Sequence, residues 1–233
     1  MISLTDLVEL ARRFEDDLSL PVQPLHLGDR EIDVDTAPAI MGCVNLSRDS
    51  TYRESVATST ESAIRKGRVL AAQGADVVDI GAESSNPRTA RVTAREQVSA
   101  LVPVVKELAS EGIAVSVETY EPAVARSCLE AGALVLNHSG GPATDKEMFP
   151  VLADHRATVV LCYVEGENSR DVNAKSVDHD PIPRMLDHFE RRVEHARSAG
   201  VDRIVIDPGI GFSHARSVTP EMRTHYQGRA LLN

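Results

Sequence analysis

Hydrophobic residues along most of this chain fall into six short runs that alternate with helical patterns. After Pro38, each apolar run is followed by a segment whose apolar residues are three and four positions apart, the spacing of one helix face. The runs are AIMGCVNL (39–46), ADVVDIGA (75–82), IAVSVET (113–119), ALVLNHS (133–139), ATVVLCYV (157–164) and RIVIDPG (203–209). Continuous apolar strands that alternate with helices predict a parallel sheet covered on both faces.

Capping residues mark the limits of the predicted helices. Thr93 and Glu96 form a capping-box pattern before the second helical segment. Glycines stand where helix C-caps are expected, at positions 74, 112, 132 and 200. The five segments between the strands span 59–74, 94–112, 121–132, 146–155 and 182–200, and the tail at 219–233 is predicted to be a sixth helix.

The first part of the chain has a different pattern. Leucines and a phenylalanine at helical spacing predict an amphipathic helix over residues 4–17, and residues 25–34 alternate and turn at Gly28-Asp29, which predicts a hairpin. We therefore divide the chain into a lead-in at 1–25 and one α/β domain at 26–233.

Two architectures fit six strands that alternate with helices: a doubly wound open sheet and a (β/α)₈ TIM barrel. The first strand is not followed by the G-x-G-x-x-G turn of a dinucleotide-binding fold. Polar residues occur at one end of every strand, and in a barrel these ends meet at one mouth. These residues are Asn45, Asp79, Glu83, Glu118, Asn137, Tyr163 and Asp207. The barrel is favoured with six β/α units visible, so either the natural product extends beyond Asn233 or the barrel is incomplete.

Composition narrows the class of protein. A formal net charge of −10 and an aromatic content of 3% without Trp argue against a nucleic-acid binder. The apolar runs are too short to cross a bilayer, and the first residues lack the pattern of a signal peptide. Three scattered cysteines show no metal-binding spacing or disulfide framework, which favours a reducing, cytoplasmic location.

The candidate chemistry lies at three strand ends. Glu118, Asn137 and Asp207 offer two carboxylates and one amide at similar heights, which suits a flat heterocycle with an amino-amide edge, such as a pterin or guanine. Pro208 stiffens the turn after Asp207, and Phe212 is placed to form a wall of the pocket. Taken singly, Asp207 could instead be a helix-capping acid before a turn, and Asn137 could cap the next helix.

Four motifs together resemble the dihydropteroate synthase family. They are IMGCVNLSRDS, ADVVDIGAESSNP, VSVETYEPAVARSCLEAGALVLNHSGG and IVIDPGIGF, in the family's order and spacing from about His26 to Phe212. The resemblance implies a (β/α)₈ barrel that binds a pterin diphosphate and, with Mg²⁺, transfers the pterin to p-aminobenzoate or a related aromatic amine, as in folate biosynthesis.

The resemblance also implies roles for particular residues. The pterin would lie against Glu118, Asn137 and Asp207, which are also the catalytic candidates, with Cys162 and Phe212 in the same pocket. Asn45 would help to hold the diphosphate and Mg²⁺, although a turn-forming role is an equal alternative. The residues that match the two loops closing over the second substrate are Asp49, Ser50, Ser84, Ser85 and Pro87.

The chain departs from the family pattern at several of these sites. Glu118 replaces an aspartate and carries one more methylene, which shifts its carboxylate by about one bond length and predicts a loss of catalytic efficiency. The other departures are Arg48 for proline, Thr51 for phenylalanine, Asn86 for arginine, Cys162-Tyr163 for Met-His and Ser213-His214 for Gly-Lys. The changed loops predict weakened or altered handling of p-aminobenzoate.

Other interpretations stay open from the sequence. One is a methyltetrahydrofolate-binding domain of a corrinoid methyltransferase, and another is a truncated or diverged barrel that binds a pterin, or only another protein, without synthase activity. His138 and His214 are interpreted as solvated loop residues, Cys162 as a small buried apolar residue, and Asp79 as a structural acid that bonds neighbouring strands. Small-molecule substrates and a possible homodimer are the expected partners.

Overall fold

The computed structural model describes residues 3–18, 20–47, 53–86, 89–164, 166–170 and 182–209. The strands are β1 Leu25–Leu27, β2 Arg30–Ile32, β3 Met41–Asn45, β4 Val77–Gly81, β5 Val115–Glu118, β6 Val135–His138, β7 Thr158–Cys162 and β8 Ile204–Asp207. The helices are α1 Leu4–Arg13, α2 Glu15–Leu18, α3 Thr60–Ala72, α4 Ala94–Ser110, α5 Pro122–Glu130, α6 Pro142–His155 and α7 Ile182–Ser198, with a 3₁₀ turn at Arg53–Ser55. Asp49, Ser50, Pro87, Phe212, His214 and the tail at 219–233 lie outside the described residues.

The order of the strands identifies the architecture. The six strands β3 to β8 form one parallel sheet in which every strand pairs with the next one along the chain. A doubly wound sheet would reverse its strand order at a switch point, so that alternative is wrong. A sheet that adds β/α units in sequence is the arrangement of a TIM barrel, and six such units are described.

The two faces of the sheet have different surroundings. Side chains such as Val44, Ile80 and Val117 point outwards and are buried in one apolar cluster with residues of the surrounding helices. Asp79, Ser116 and Asn137 lie on the inner face, where Ser116 and Asn137 each donate to the carboxylate of Asp79. Helices therefore cover only the outer face. The apolar strands predicted a sheet covered on both faces, but the inner face is the barrel interior.

Local sequence explains most helix limits. Thr93 and Glu96 form the predicted capping box at the start of α4, and Ser59 caps α3. The glycines at 74, 112, 132 and 200 all have positive φ just after a helix, as expected for C-cap positions. Helix α6 begins at Pro142, four residues before the predicted limit, because proline fits the first turn of a helix.

The N-terminal segment closes the other end of the barrel. The predicted single helix is broken at Phe14, whose backbone leaves helical geometry, and α1 buries none of its residues. The predicted hairpin is confirmed as β1 and β2. Leu27 packs against Val77 and Val135 at the start of the barrel strands, and the hydroxyl of Thr158 donates to the carbonyl of residue 26 at 2.5 Å. The division of the chain at residue 25 stays a prediction.

An ion pair is buried between the barrel wall and helices α6 and α7. Arg192 donates to both carboxylate oxygens of Asp145, at 2.7 and 2.8 Å, and to the carbonyl of Cys162 at 3.0 Å. His138, which is fully buried, lies 3.0 Å from the same carboxylate. The interpretation of His138 as a solvated loop residue is wrong, because it ends β6 on the outer face of the sheet.

The protonation of this cluster follows from its contacts. The backbone N–H of Gly140 donates to Nδ1 of His138, and Nε2 faces Asp145; the neutral tautomer that satisfies both contacts carries its proton on Nε2. Burial lowers the pKa of His138, which favours this neutral form. Burial also opposes the charge on Asp145, but hydrogen bonds from His138 and Arg192 outweigh it and lower the pKa of the carboxyl.

No helix within the described ranges is both long and apolar enough to cross a membrane.

Asp145→Ala is expected to lower the free energy of unfolding by about 3–5 kcal/mol, because it leaves the Arg192 charge buried without a partner. The control is Asp187→Ala on α7, which breaks the exposed pair between Asp187 and Arg191 and should cost less than about 1 kcal/mol. Urea denaturation of both variants measures the difference. Equal losses would mean that the buried pair does not stabilise the helix layer.

Candidate active site

The predicted site residues meet at the carboxyl ends of the barrel strands. The register of the parallel ladders sets which of them are neighbours across the sheet. The neighbouring pairs are Asn45 with Gly81, Gly81 with Glu118, Glu118 with Asn137, and Cys162 with Asp207. The strand ends thus form a rim of amide, carboxyl and thiol groups along the inner face of the barrel.

Asp79 lies beneath this rim and fixes the amide of Asn137. One carboxylate oxygen accepts from the hydroxyl of Ser116 at 2.6 Å, and the other accepts from Nδ2 of Asn137 at 3.2 Å. Burial raises the pKa of Asp79, although both hydrogen bonds oppose this rise. The expectation that Asp79 bonds neighbouring strands is confirmed, since its partners lie on β5 and β6.

Cys162 connects the amide to the carboxylate of the last described strand. Its thiol lies 3.3 Å from Oδ1 of Asn137 and 3.5 Å from a carboxylate oxygen of Asp207. A thiol has one proton, so it donates to one of these oxygens at a time. Burial, followed by the charge of Asp207, raises the pKa of Cys162. The expected small buried residue is therefore also a neutral hydrogen-bonding bridge and not a thiolate nucleophile.

Asn137 is not a helix cap. Its amide oxygen faces Cys162 and its amide nitrogen faces Asp79, while α6 has Gly141 at its N-cap position. With both ends fixed, the amide cannot flip. Among the described residues, one N–H and one lone pair of this amide carry no hydrogen bond, so the group can still both donate to and accept from a ligand.

Asp207 has two roles that the sequence presented as alternatives. One carboxylate oxygen accepts from the backbone N–H of Gly209 at 2.9 Å and forms the turn after β8. Gly209 has a φ of 72°, a left-handed conformation that favours glycine. The other oxygen faces Cys162 on the inner side of the barrel. The turn therefore aims the carboxylate at the site.

Glu118 is the most perturbed acid of the rim. Burial, then the nearby carboxylates of Asp79 and Glu83, raise its pKa to about 8, against an opposing hydrogen bond from Ser139. At neutral pH the unliganded protein therefore holds Glu118 mostly protonated. Its carboxyl lies against Gly81, where a Cβ atom would stand 3.2 Å from Oε2.

Asn45, on the other side of Gly81 from Glu118, faces the same space beside this glycine. A Cβ atom on Gly81 would lie 3.1 Å from Oδ1 of Asn45, while Nδ2 of Asn45 donates to the hydroxyl of Ser55 at 2.8 Å. The Ser55 contact holds the 3₁₀ turn, as the turn-forming interpretation expected. The absence of a side chain at Gly81 leaves two oxygen atoms, from Asn45 and Glu118, directed at one space.

This pair of oxygens is the candidate for a metal site. No cluster of three or more His, Cys, Asp or Glu side chains suited to a metal occurs in the described part of the chain. Mg²⁺ is commonly held by one or two protein oxygens together with water and substrate phosphates. The donors beside Gly81 fit such partial coordination and would not suffice to hold the ion without a phosphate ligand.

The loop after β4 closes over the rim beside Glu118. Ser84 and Ser85 line a cavity of about 10 Å³ together with Glu118 and Ser139, which is close to the space of a single water molecule. The backbone N–H of Asn86 donates to the hydroxyl of Ser84 at 3.2 Å. The structure thus brings Ser84 and Ser85 to the site beside Glu118.

Two residues near the barrel mouth lie where the sequence did not predict them. Tyr163 points outwards from the barrel, and its ring packs against His188 at 4.9 Å and Phe189 at 6.2 Å. Arg170, which no sequence pattern singled out, is buried and contacts Glu83 and the loop after β4. A single arginine in a polar segment carries no signal that would have revealed this placement.

Comparison with known proteins identifies the class. A sequence model described as "Pterin binding enzyme" matches residues 41–226, most of the chain. The dihydropteroate synthase of Bacillus subtilis (strain 168) is 30% identical over 214 residues, covering 91% of this chain and 69% of that protein. The crystal structure of dihydropteroate synthase from Thermus thermophilus in complex with 4-aminobenzoate superimposes with a TM-score of 0.69 at 32% identity, covering 83% of this chain and 68% of that one. The chain therefore belongs to the dihydropteroate synthase family.

The match covers only part of its larger relatives. The folate synthesis bifunctional protein of Arabidopsis thaliana is 30% identical over 194 residues, which represent 80% of this chain and 40% of that protein. The chain thus spans less than half of that relative and about two thirds of the bacterial synthases.

Glu118→Gln is expected to flatten the pH dependence of stability. The folded pKa of about 8 lies above the ordinary value of 4.5, so the folded state binds this proton more tightly and stability falls as pH rises from about 4.5 to about 8. The glutamine side chain does not titrate, so the part of this fall in stability that Glu118 causes should disappear in the variant.

Urea midpoints of wild type and variant between pH 5 and pH 9 measure the effect, with Glu147→Gln on the exposed face of α6 as the control. Parallel profiles for wild type and Glu118→Gln would contradict the raised pKa.

Proposed function

We propose that this chain forms the pterin-binding part of a dihydropteroate synthase-type transferase, which condenses 6-hydroxymethyl-dihydropterin diphosphate with p-aminobenzoate or a related aromatic amine. The observation that carries the proposal is the rim of Glu118 on β5, Asn137 on β6 and Asp207 on β8, with Cys162 on β7 between the last two. Family membership and the 4-aminobenzoate complex of the Thermus thermophilus relative support it.

In this proposal the rim recognises the pterin. The carboxylates of Glu118 and Asp207 accept from the N–H groups of the heterocycle, and Asn137 uses its remaining N–H and lone pair. The thiol of Cys162 lies between Asn137 and Asp207 and donates to one of them at a time. Phe212, outside the described residues, is proposed as a wall of the same pocket.

The second substrate would approach from the loops. Ser84 and Ser85 stand at the rim beside Glu118, and Asp49, Ser50 and Pro87 complete this part of the proposal outside the described residues. The amine nitrogen forms a bond to the exocyclic carbon of the pterin, the carbon–oxygen bond to diphosphate breaks with its electron pair on the leaving group, and the amine loses a proton. Carboxylates near the ring favour the positive charge that develops there.

Mg²⁺ is part of the proposal. Asn45, with Glu118 beside the gap at Gly81, would hold the ion against the diphosphate. When bound, the ion would neutralise charge on the leaving group. A cytoplasmic location, supported by the scattered cysteines, and a homodimer are further parts of this proposal.

A second candidate function is pterin binding without efficient synthase activity. The longer side chain of Glu118 favours it, because catalytic groups tolerate only small displacements. The corrinoid methyltransferase alternative has no structural observation in its favour.

Asn137→Ala and Asp207→Asn are expected to weaken pterin diphosphate binding by about tenfold to a hundredfold, because each removes a group that fixes the heterocycle. Calorimetric titration with and without Mg²⁺ measures this. Asp76→Asn is the matched control, since Asp76 precedes β4 at the opposite end of the barrel and bonds Arg30 and the N–H of Ile40. No binding by the folded wild-type protein, or equal loss in the control, would exclude the rim as a pterin site.

Binding is also expected to release a proton that Glu118 holds in the unliganded protein. A pterin N–H edge favours the carboxylate form, and the pKa of about 8 leaves that proton to be lost near pH 7. Titrations in buffers of different ionisation enthalpy should therefore show fewer protons released by Glu118→Gln than by wild type. Equal proton release would mean that the pterin does not contact Glu118.

A further inference from the structure

The segment at 166–170, which follows β7, crosses the barrel mouth and is tied to the loop after β6. The N–H of Gly141 donates to the carbonyl of Glu167 at 2.7 Å, and the N–H of Ser169 donates to the carbonyl of Ser139 at 2.9 Å. These backbone bonds fix the position of the segment. They direct Arg170 over the end of β5, towards the loop after β4.

The guanidinium of Arg170 is buried inside that loop. One terminal nitrogen donates to the carbonyls of Ser84 at 3.0 Å and Ala90 at 3.3 Å, and the other donates to the carbonyl of Thr89 at 2.7 Å. The first nitrogen also lies 3.2 Å from a carboxylate oxygen of Glu83. One side chain therefore bonds both ends of the segment from Ser84 to Ala90.

Glu83 also helps to hold Arg170 and the loop after β4 in place. Its carboxylate accepts from the hydroxyl of Tyr120 and from the N–H of Val92 at 2.8 Å. A buried ion pair carries a desolvation penalty that its attraction often only balances, and Nε of Arg170 is buried without a hydrogen-bond partner among the described residues. Stability alone therefore gives a weak reason for this arrangement, whereas precise placement of the loop gives a direct one.

The attached loop is the part of the rim that carries Ser84 and Ser85. Arg170 lines the same cavity of about 10 Å³ as these serines and Glu118. Asn86 stands in this loop where the family pattern has arginine. The guanidinium found within the loop comes instead from the segment after β7, more than eighty residues away.

We propose that Arg170 is a positioning residue for the acceptor amine, acting by holding the described ends of the loop after β4, at Ser84 and at Thr89 and Ala90, against the barrel mouth. The inference rests on the proposed function, because it assigns this loop to the second substrate. Among the pterin rim residues, Arg170 has no described contact with Asn137 or Asp207, and it shares with Glu118 only the lining of the small cavity. Its loss should therefore affect the amine far more than the pterin diphosphate.

The test compares Arg170→Met with Arg203→Met. Arg203 is a matched control because it also donates to two loop carbonyls, those of Gly28 and Arg156, but at the opposite end of the barrel. Arg170→Met should raise the KM for p-aminobenzoate by about tenfold to a hundredfold, change the affinity for pterin diphosphate far less, and speed hydrogen exchange of amides at 84–92. Arg203→Met should change none of these.

Two further variants separate positioning from folding. Arg170→Met combined with Glu83→Gln removes both buried charges, so it avoids a buried carboxylate whose remaining ion-pair partner is the exposed Arg91, while still losing the carbonyl contacts. It should keep the faster exchange and the raised KM. Arg170→Lys keeps the charge without the planar fork and should rescue only part of the KM effect.

The outcomes distinguish this inference from the proposed function. An active wild type with an unchanged KM for p-aminobenzoate in Arg170→Met, or with equal changes for both substrates, overturns the role of Arg170. A folded wild type that binds neither substrate counts against the proposed function. In that case unchanged exchange at 84–92 in Arg170→Met independently overturns the claim that Arg170 holds the loop.

Discussion

The buried carboxylate of Asp79 is the group on which the geometry of the site depends. It holds the amide of Asn137 in one orientation and, through its charge, adds to the effect of burial on the pKa of Glu118. Asn137 in turn accepts from Cys162, which reaches Asp207. A single inner acid thus organises side chains from five strands, which is why the rim can present fixed donors and acceptors before a ligand arrives.

The free-energy cost of burying these inward polar groups is offset by contacts on the outer face of the same strands. Asn137 and Cys162 point into the barrel, whereas the next residue along β6, His138, points outwards to Asp145. The carbonyl of Cys162 accepts from Arg192, so β7 is held from outside while its thiol serves the rim inside. Neighbouring positions on one strand therefore divide between the site and the helix layer, as the alternation of a strand requires.

The same alternation explains what the sequence could and could not predict. Apolar runs and capping residues were sufficient for the six strands and their order in a barrel, and strand ends pointed to Glu118, Asn137 and Asp207. His138 and Tyr163 were misplaced because one step along a strand reverses the face, and a polar residue at a strand end does not reveal which face it occupies. Arg170 could not be predicted, because its partners lie in a loop more than eighty residues away.

Glu118 and Gly81 show how a departure from the family pattern can be accommodated within this frame. The longer acid needs space along the barrel wall, and the bare backbone of Gly81 provides it between Asn45 and Glu118. In this position, burial and the charges of Asp79 and Glu83 keep the carboxyl protonated near neutral pH. The acid therefore reaches the site on a longer side chain and stays uncharged until a ligand or a higher pH removes its proton. A catalytic difference between this chain and an aspartate-bearing relative would arise first from the added methylene, which shifts the carboxylate by about one bond length where reacting groups tolerate little displacement.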